Sequence, residues 1–192
     1  MPPFVTLITP SLQRKSLQSC VASVNRQSFT NWQHVIAVDA EECENWVSEL
    51  DCFPRRKVIC CGKRYNDFGN TPRRLAWEHA TGERVIFLDD DNRFVDHGAL
   101  QRIYDYLKRD PEVKVALFPI LRHGVRFLDL PPGLCHTDSA NFVLRREIAQ
   151  WPDIRNYTAD GIFIERLVAE HGYISFPDCA PIITVPISSE GQ

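Results

Sequence analysis

The sequence has 192 residues, of which 44% are hydrophobic and 24% charged, and its formal net charge is -3. These values indicate one globular domain of ordinary size with a single core. A slightly negative chain offers no basic field to nucleic acid or to an anionic membrane, so neither partner is expected. No apolar run approaches the roughly 18 residues that span a bilayer, and the first ten residues do not resemble a signal peptide. We therefore expect no membrane segment and a cytoplasmic protein.

The first half of the chain alternates short β-rich runs with helical patterns. Strands are predicted at 4–9, 34–39, 56–62 and 84–89, and helices at 16–27, 41–50 and 71–82. The third helix would begin with Thr71 as N-cap and Pro72 in its first turn, and would end at Gly82. This alternation predicts an α/β fold, with a mostly parallel sheet that helices cover on both faces.

The second half of the chain is less regular. It contains a predicted helix at 98–110, a strand at 113–121, a strand running into a short helix at 139–147, and a helix at 159–172. No Gly/Ser linker divides the sequence. We therefore interpret this half as an appendage to the same sheet and predict a single domain.

Seven cysteines are spread along the chain without any C-x-x-C pair. The adjacent Cys60 and Cys61 would point to opposite faces of a strand, which suits buried small residues better than a zinc knuckle. We interpret the cysteines as structural or incidental, since a free cysteine is commonly a buried hydrophobic residue.

Polar residues stand where four of the predicted strands end. They are Thr9 with Pro10, Asp39, the loop 62–70, and the run Asp89–Asp91. Ligands of open parallel sheets bind at the carboxyl ends of the strands. The sequence therefore predicts a ligand site at this edge of the sheet.

The segment "VIFLDDDNRF" leads an apolar strand directly into three aspartates. In extended backbone Asp89 and Asp91 would share a face, while Asp90 would turn away into a supporting hydrogen bond. Two close carboxylates repel unless a cation joins them, and oxygen ligands suit Mg²⁺ or Mn²⁺ completed by substrate phosphates. The alternative is an acidic turn that caps the following helix.

Two further features suggest a nucleotide. Asp39 could accept a hydrogen bond from a base N–H, as uracil presents, or it could cap the helix that begins near Glu41. Arg73 and Arg74 lie in the first turn of a predicted helix, where anions are favoured, although a solvated surface pair is the alternative. There is no P-loop and no G-x-G-x-x-G after the first strand.

Four blocks of the sequence, in order, resemble family-2 glycosyltransferases. The first is "VTLITPSLQRKSLQSCVASVNRQSFTNWQHVIAVD", with Q-S-[FY]-x-[ND]-[WF] and a strand that ends in Asp. The second is "GNTPRRLAWEHATGERVIFLDDDN", with A-x-G-E before a strand that carries D-x-D. "SANFVLRREI" resembles the family's strand with Arg-Arg, and "ADGIFIERLVAEHG" its segment with the catalytic acid.

The resemblance implies a single GT-A domain over 1–192, with a nucleotide-sugar-binding half at 1–95 and an acceptor-side half at 96–192. It implies that Asp91 is the principal ligand of Mn²⁺ or Mg²⁺, with Asp89 as its partner, and that Asp160 is the general base. The donor-binding candidates carried over are Thr9, Pro10, Asp39, Asn70, Arg73, Asp89 and Asp90.

Acceptor-side candidates are fewer and rest on position in the second half. His136 and Asp138 lie in "CHTDSAN", where the family's acceptor-side residues tend to fall. Trp151 could stack on an acceptor sugar. The alternatives are a satisfied histidine, a core tryptophan, and for Asp160 a carboxylate stabilised by its helix dipole.

The hypothesis that follows is an inverting, metal-dependent glycosyltransferase that moves a sugar from a UDP-sugar to an acceptor hydroxyl, as of a glycan. One rival is a sugar-phosphate nucleotidyltransferase, against which the absence of a Gly-rich first loop argues. The other is a catalytically silent nucleotide-sugar-binding module. It is favoured by Ala159, which stands where the family usually has Glu. The sequence does not specify the sugar, the acceptor or the oligomeric state.

Overall fold

The computed structural model describes residues 2–134 and 136–184. Met1, Cys135 and residues 185–192 lie outside the described residues. Within the described part, no helix has both the length and the apolar character needed to cross a bilayer.

The described chain alternates strands and helices through its first half and then becomes irregular, as expected. The α-helices are α1 (Ser16–Asn25), α2 (Asn45–Ser48), α3 (Asn70–Trp77), α4 (Ala99–Arg109) and α5 (Ala159–His171). The strands are β1 (Val5–Ser11), β2 (Trp32–Val38), β3 (Arg56–Cys60), β4 (Arg84–Phe87), β5 (Asn92–Phe94), β6 (Val115–Leu117), β7 (Ile120–Arg122), β8 (Val125–Phe127), β9 (Phe142–Arg145), β10 (Ile174–Ser175) and β11 (Ile182–Thr184). Short 3-10 helices cover Glu49–Cys52, Ser139–Asn141 and Arg146–Ile148.

A seven-stranded sheet forms the centre of the molecule, in the order β10-β6-β9-β4-β1-β2-β3. All of its pairings are parallel except those of β9, which runs antiparallel to both β4 and β6. The predicted α/β class with a mostly parallel sheet is confirmed. The second half is more than an appendage, however, because β9 is inserted between two strands and completes the sheet.

The sheet separates two apolar cores, because successive side chains of a strand point to opposite faces. On β4, Ile86 packs in one core together with α1 and α4, and Phe87 packs in the other together with α3 and α5. Helices α1 and α4 carry their buried apolar residues at three- and four-residue spacings. Both faces of the sheet are therefore covered, as the sequence predicts.

A second sheet of four strands, in the order β5-β11-β7-β8, was not predicted. The single strand expected at 113–121 is two strands, β6 in the large sheet and β7 in the small one. Pro119 stands between them. Proline has no N–H to donate to a ladder, which explains why one continuous strand does not form there.

The start of α3 differs from its prediction. The helix begins at Asn70, so Thr71 lies inside its first turn and is not the N-cap. The carboxylate of Asp67 instead accepts hydrogen bonds from the backbone N–H of Thr71 at 3.0 Å and from its hydroxyl at 2.5 Å. The helix ends at Trp77, and Gly82 lies beyond it, against the backbone of β1.

The cysteines are structural only in part. Cys20 and Cys179 are buried in the core, whereas Cys60 is exposed and Cys61 half-buried. The Sγ of Cys60 contacts the carbonyl of Ala40 at 3.3 Å. The described cysteines are all free.

Candidate active site

A cavity of about 390 Å³ opens at the carboxyl ends of β1, β2 and β4. Pro10, Ser11, Asp39 and Asp89–Asp91 line it from the strand ends, and Asn66 lines it from the loop before α3. We call it the strand-end cavity. The convergence of polar strand ends predicted from the sequence is therefore present in the fold.

A smaller cavity of about 230 Å³ adjoins the first and is lined by residues of both halves of the chain. We call it the adjoining cavity. Four side chains line both cavities and mark the junction between them: Phe68, Arg73, Asp89 and Tyr157.

The three aspartates occupy different environments. Asp90 is buried and accepts hydrogen bonds from the Ser11 hydroxyl at 2.8 Å and the Leu12 N–H at 3.3 Å. Asp89 and Asp91 remain partly exposed at the cavity. The predicted division is therefore present, with Asp90 in a supporting hydrogen bond. Asp90 also lines the strand-end cavity, although little of its surface is exposed.

Arg14 is a basic residue of this site that the sequence analysis missed. Its guanidinium lies 3.6 Å from a carboxylate oxygen of Asp90 and 3.6 Å from one of Asp91. The signal was available, because Arg14 follows the first strand directly in "PSLQRKS". Arg14 lines the strand-end cavity together with Arg73 and adds a second positive charge to it.

Asp91 lies where a negative charge is disfavoured. Burial, followed by the charges of Asp89 and Asp90, raises the pKa of Asp91 to about 6, although Arg14 opposes the shift. In the part of the chain that the structure describes, no group of three or more His, Cys, Asp or Glu side chains could hold a metal ion. Two carboxylates fit a Mg²⁺-like ion only if phosphate and water oxygens supply its remaining ligands.

Arg73 is held at the junction by several partners. It donates to Asp89 at 2.5 Å and to the carbonyl of Phe68 at 2.9 Å, and its guanidinium lies 4.8 Å from the ring centroid of Trp151. Arg74 points away from both cavities, toward Asp153 at 4.0 Å. Of the two arginines, only Arg73 is placed for an anionic ligand.

The Asp39 side chain does not cap a helix, and both of its carboxylate oxygens form hydrogen bonds within the protein. Its two carboxylate oxygens accept hydrogen bonds from the backbone N–H groups of Tyr65 at 2.7 Å and Asn66 at 3.0 Å. It thereby fixes the loop before α3 to the end of β2. Asp39 also lines the strand-end cavity, and each of its oxygens has a second lone pair for a ligand.

Two predicted donor-binding residues lie outside the strand-end cavity. Thr9 is completely buried, and its hydroxyl donates to the carbonyl of Leu88 at 2.7 Å. Asn70 donates to the carbonyls of Asp67 and Asn156, and lines the adjoining cavity instead. Their polar atoms form hydrogen bonds inside the protein, and neither side chain reaches the strand-end cavity.

Asp160 and Asp138 both line the adjoining cavity, and the negative charge of Asp138 acts on Asp160. Asp160 lies in the first turn of α5, where burial and then the charge of Asp138 raise its pKa, against a 2.8 Å hydrogen bond from the Gly161 N–H. Asp138 caps a 3-10 helix and accepts from Arg122 at 2.9 Å, and burial raises its pKa too. The cavity therefore holds a carboxylate of increased basicity.

Of the other two acceptor-side candidates, Trp151 lines the adjoining cavity and His136 lines neither cavity. Trp151 is only 2% exposed, packs 4.7 Å from Phe87 between ring centroids, and donates to Asn70 at 3.0 Å. It is a core residue with an edge at the cavity wall. His136 lines neither cavity, and its Nδ1 lies 3.9 Å from a carboxylate oxygen of Asp129 on the exposed surface.

The sequence itself assigns the chain to a family. A sequence model described as "Glycosyl transferase family 2" matches residues 6–169. The chain belongs to this family. No curated protein matches the sequence closely enough to add a relative.

Solved structures show the same fold at low sequence identity. S. aureus TarS 1-349 in complex with UDP-GlcNAc superposes with a TM-score of 0.79 and 16% identity, covering 98% of this chain and 59% of that one. A second structure of S. aureus TarS 1-349 superposes with a TM-score of 0.76 and 16% identity, covering 94% of this chain and 60% of that one. The mannosyltransferase PcManGT from Pyrobaculum calidifontis, in complex with GDP-Man and Mn²⁺, superposes with a TM-score of 0.74 and 17% identity. The match covers 98% of this chain and 59% of that one. The chain thus has the predicted GT-A fold and spans about three fifths of these solved chains.

Proposed function

We propose that the chain is the catalytic domain of an inverting, metal-dependent glycosyltransferase that moves a sugar from a UDP-sugar to an acceptor hydroxyl, as of a glycan. One observation carries the proposal. The cavity that contains the aspartate cluster meets the cavity that contains Asp160, and Arg73 and Asp89 stand at their junction. A donor in the first cavity would thereby present its sugar to an acceptor in the second.

The strand-end cavity suits a nucleoside diphosphate. Asp39 offers carboxylate oxygens to a base N–H at one end, which favours uracil. Arg14 and Arg73 bring guanidinium groups to the carboxylate end, where they would pair with phosphate oxygens. TarS is seen with UDP-GlcNAc and UDP, and PcManGT with GDP-Man, in the solved structures of similar fold.

Asp91 and Asp89 would hold the divalent ion. Both carboxylates line the strand-end cavity, and two such groups held close together repel each other unless a cation joins them. The ion would supply positive charge that offsets the charge developing on the departing diphosphate. The PcManGT complex with Mn²⁺ supports such use within this fold.

Asp160 would act on the acceptor. Its carboxylate would accept the proton of the acceptor hydroxyl as that oxygen attacks the anomeric carbon from the side opposite the diphosphate, which inverts the configuration. Burial raises the pKa of Asp160 and so makes it a stronger base than an exposed aspartate. The silent-module alternative retains one supporting observation, since Ala159 is buried and offers no carboxylate beside Asp160.

Two substitutions separate the roles of the carboxylates. We expect Asp91→Asn to weaken Mn²⁺-dependent UDP binding at least tenfold, because it removes a ligand charge. Asp160→Asn is expected to leave UDP binding near wild type and to lower transfer by about 10²–10⁴-fold. UDP affinity is measured by calorimetry, and transfer by UDP release from the nucleotide sugar that gives the largest thermal stabilisation with Mn²⁺.

Asp153→Asn is the matched control, since Asp153 is an exposed carboxylate that lines neither cavity. Normal transfer by the Asp160→Asn variant would show that the base is wrongly assigned. Equal UDP binding by wild type in EDTA and in Mn²⁺ would refute the metal site.

A further inference from the structure

Two large aromatic side chains stand exposed at the junction of the two cavities. Phe68 is 62% exposed and Tyr157 is 79% exposed. Their rings pack edge to face with centroids 5.7 Å apart, and each lines both cavities. Clustered exposed aromatic area of this kind marks a binding surface. We call this pair the aromatic platform.

The platform is set on backbone that the fold holds in place. Phe68 adopts a φ of 61°, which is uncommon for a bulky residue and costs about 1 kcal/mol or more. Its carbonyl accepts a hydrogen bond from Arg73 at 2.9 Å. The carbonyl of Asn156, next to Tyr157, accepts one from Asn70 at 2.9 Å. Because Asn70 lies in α3, directly after the loop that carries Phe68, this bond ties the two ring-bearing segments together.

The other side chains of the junction are polar. Arg73 and Asp89 line both cavities together with the two rings. A pyranose ring has the complementary character, with an apolar C–H face and a rim of hydroxyl groups. Aromatic rings bind the apolar C–H face, and charged groups form hydrogen bonds with the hydroxyl groups.

We propose that Phe68 and Tyr157 bind the transferred sugar ring of the donor and orient its anomeric carbon toward the adjoining cavity. The inference rests on the proposed function. With the nucleotide in the strand-end cavity and the acceptor near Asp160, the sugar has to lie between them, where the platform is. An acceptor sugar is the rival occupant, and the two differ in what the rings recognise.

The test compares two ligands that differ only by the sugar. Kd is measured by calorimetry in Mn²⁺ for UDP and for whichever of UDP-glucose, UDP-galactose and UDP-N-acetylglucosamine binds wild type most tightly. In Phe68→Ala and Tyr157→Ala we expect the Kd of the nucleotide sugar to rise about three- to tenfold. The Kd of UDP is expected to change less than twofold. Tyr173→Ala, which removes an exposed aromatic ring outside both cavities, is the control and should change neither value.

Each contrary result has a distinct meaning. Equal weakening of UDP and the nucleotide sugar would overturn the platform, because the rings would then act on the nucleotide or on the loops. An unchanged Kd for both ligands would also overturn the proposal, because removing rings that bind the donor sugar has to weaken the nucleotide sugar. Failure of wild type to bind UDP in Mn²⁺ would refute the proposed function itself, and the platform with it.

Discussion

His34 lies in β2 without exposed surface, below the strand-end cavity. Its Nδ1 receives a hydrogen bond from the Arg56 Nε at 3.3 Å, and a guanidinium can only donate. Nε2 therefore carries the ring proton and donates to the Thr9 hydroxyl at 2.9 Å, which in turn donates to the carbonyl of Leu88. The donor and acceptor roles of these groups therefore fix the direction of each hydrogen bond in a series that ends at Leu88, one residue before Asp89.

The burial of His34 predicts that the stability of the protein depends on pH. Burial and the charge of Arg56 lower the pKa of His34 well below 6.5. Above pH 6.5 the imidazole is neutral in both states, whereas below it the unfolded chain takes up a proton that the folded chain excludes. Stability is therefore lost as pH falls, by about 1.4 kcal/mol per pH unit from this group.

His34→Gln isolates the effect, since an amide can replace both hydrogen bonds and does not titrate. The free energy of unfolding, measured with urea between pH 7 and 5, should fall more steeply for wild type than for the variant. Carboxylates with raised pKa values, such as Asp91, are present in both proteins and cancel in the difference. Identical slopes would contradict the assignment of a buried neutral imidazole.

At the scale of elements, the loop between β3 and α3 places the donor side of the site. Asp39 accepts hydrogen bonds from the backbone N–H groups of this loop. Gly69 has a φ of 78° and joins the loop to α3. A Cβ on Gly69 would lie 2.9 Å from the Cβ of Pro10 and 3.1 Å from the Nη1 of Arg73. Glycine is therefore required both by the backbone conformation and by the close approach of β1.

We expect Gly69→Ala to cost more than backbone strain alone. Gly62 provides the matched control, because its φ is 73° and a Cβ there would meet nothing within 4 Å. Gly62→Ala should lose about 1 kcal/mol of unfolding free energy and bind UDP normally. Gly69→Ala should lose more and also weaken UDP binding, since Arg73 has to move. Urea unfolding measures the unfolding free energy, and calorimetry measures UDP affinity. Equal values for the two variants would show that a Cβ at Gly69 does not clash with Pro10 or Arg73.

At the scale of the whole molecule, the two halves of the chain contribute strands to one sheet. Strand β9 pairs with β4 through Ile86 and Val143, and covers what would otherwise be an open edge. Arg84 is completely buried, and its guanidinium donates to the carbonyls of Pro111 and Val113. The nucleotide-sugar-binding half predicted at 1–95 therefore depends on residues of the acceptor-side half.

A fragment of residues 1–95 is accordingly expected not to fold. It would leave the edge of β4 unpaired and remove α4 and α5 from the two cores. Circular dichroism should show no cooperative urea transition for the fragment, against a single transition for the whole chain. A cooperative transition in the fragment would show that the first half is a domain of its own.

Much of this fold could be predicted because its signals are local. The alternation of apolar strands with amphipathic helices, and the polar residues that end β1, β2 and β4, depend on neighbours within a few positions. The strand ends then meet because parallel strands direct their carboxyl ends to one edge. Asp39, Asp91 and Arg73 were identified in this way, and their roles toward a donor stay predictions.

The tertiary structure decided what depends on distant contacts. Thr9 and Trp151 carry polar atoms that suit a ligand, but their partners Leu88 and Asn70, which are far away in sequence, occupy those atoms. The pairing of Phe68 with Tyr157 across 89 positions has no local signature either. The sequence by itself determined the α/β class, the family and the edge at which the site lies, because these follow from periodicity and short motifs. Which side chains face the cavities was decided by β9 and the loops that pack around them, through contacts that no local pattern records.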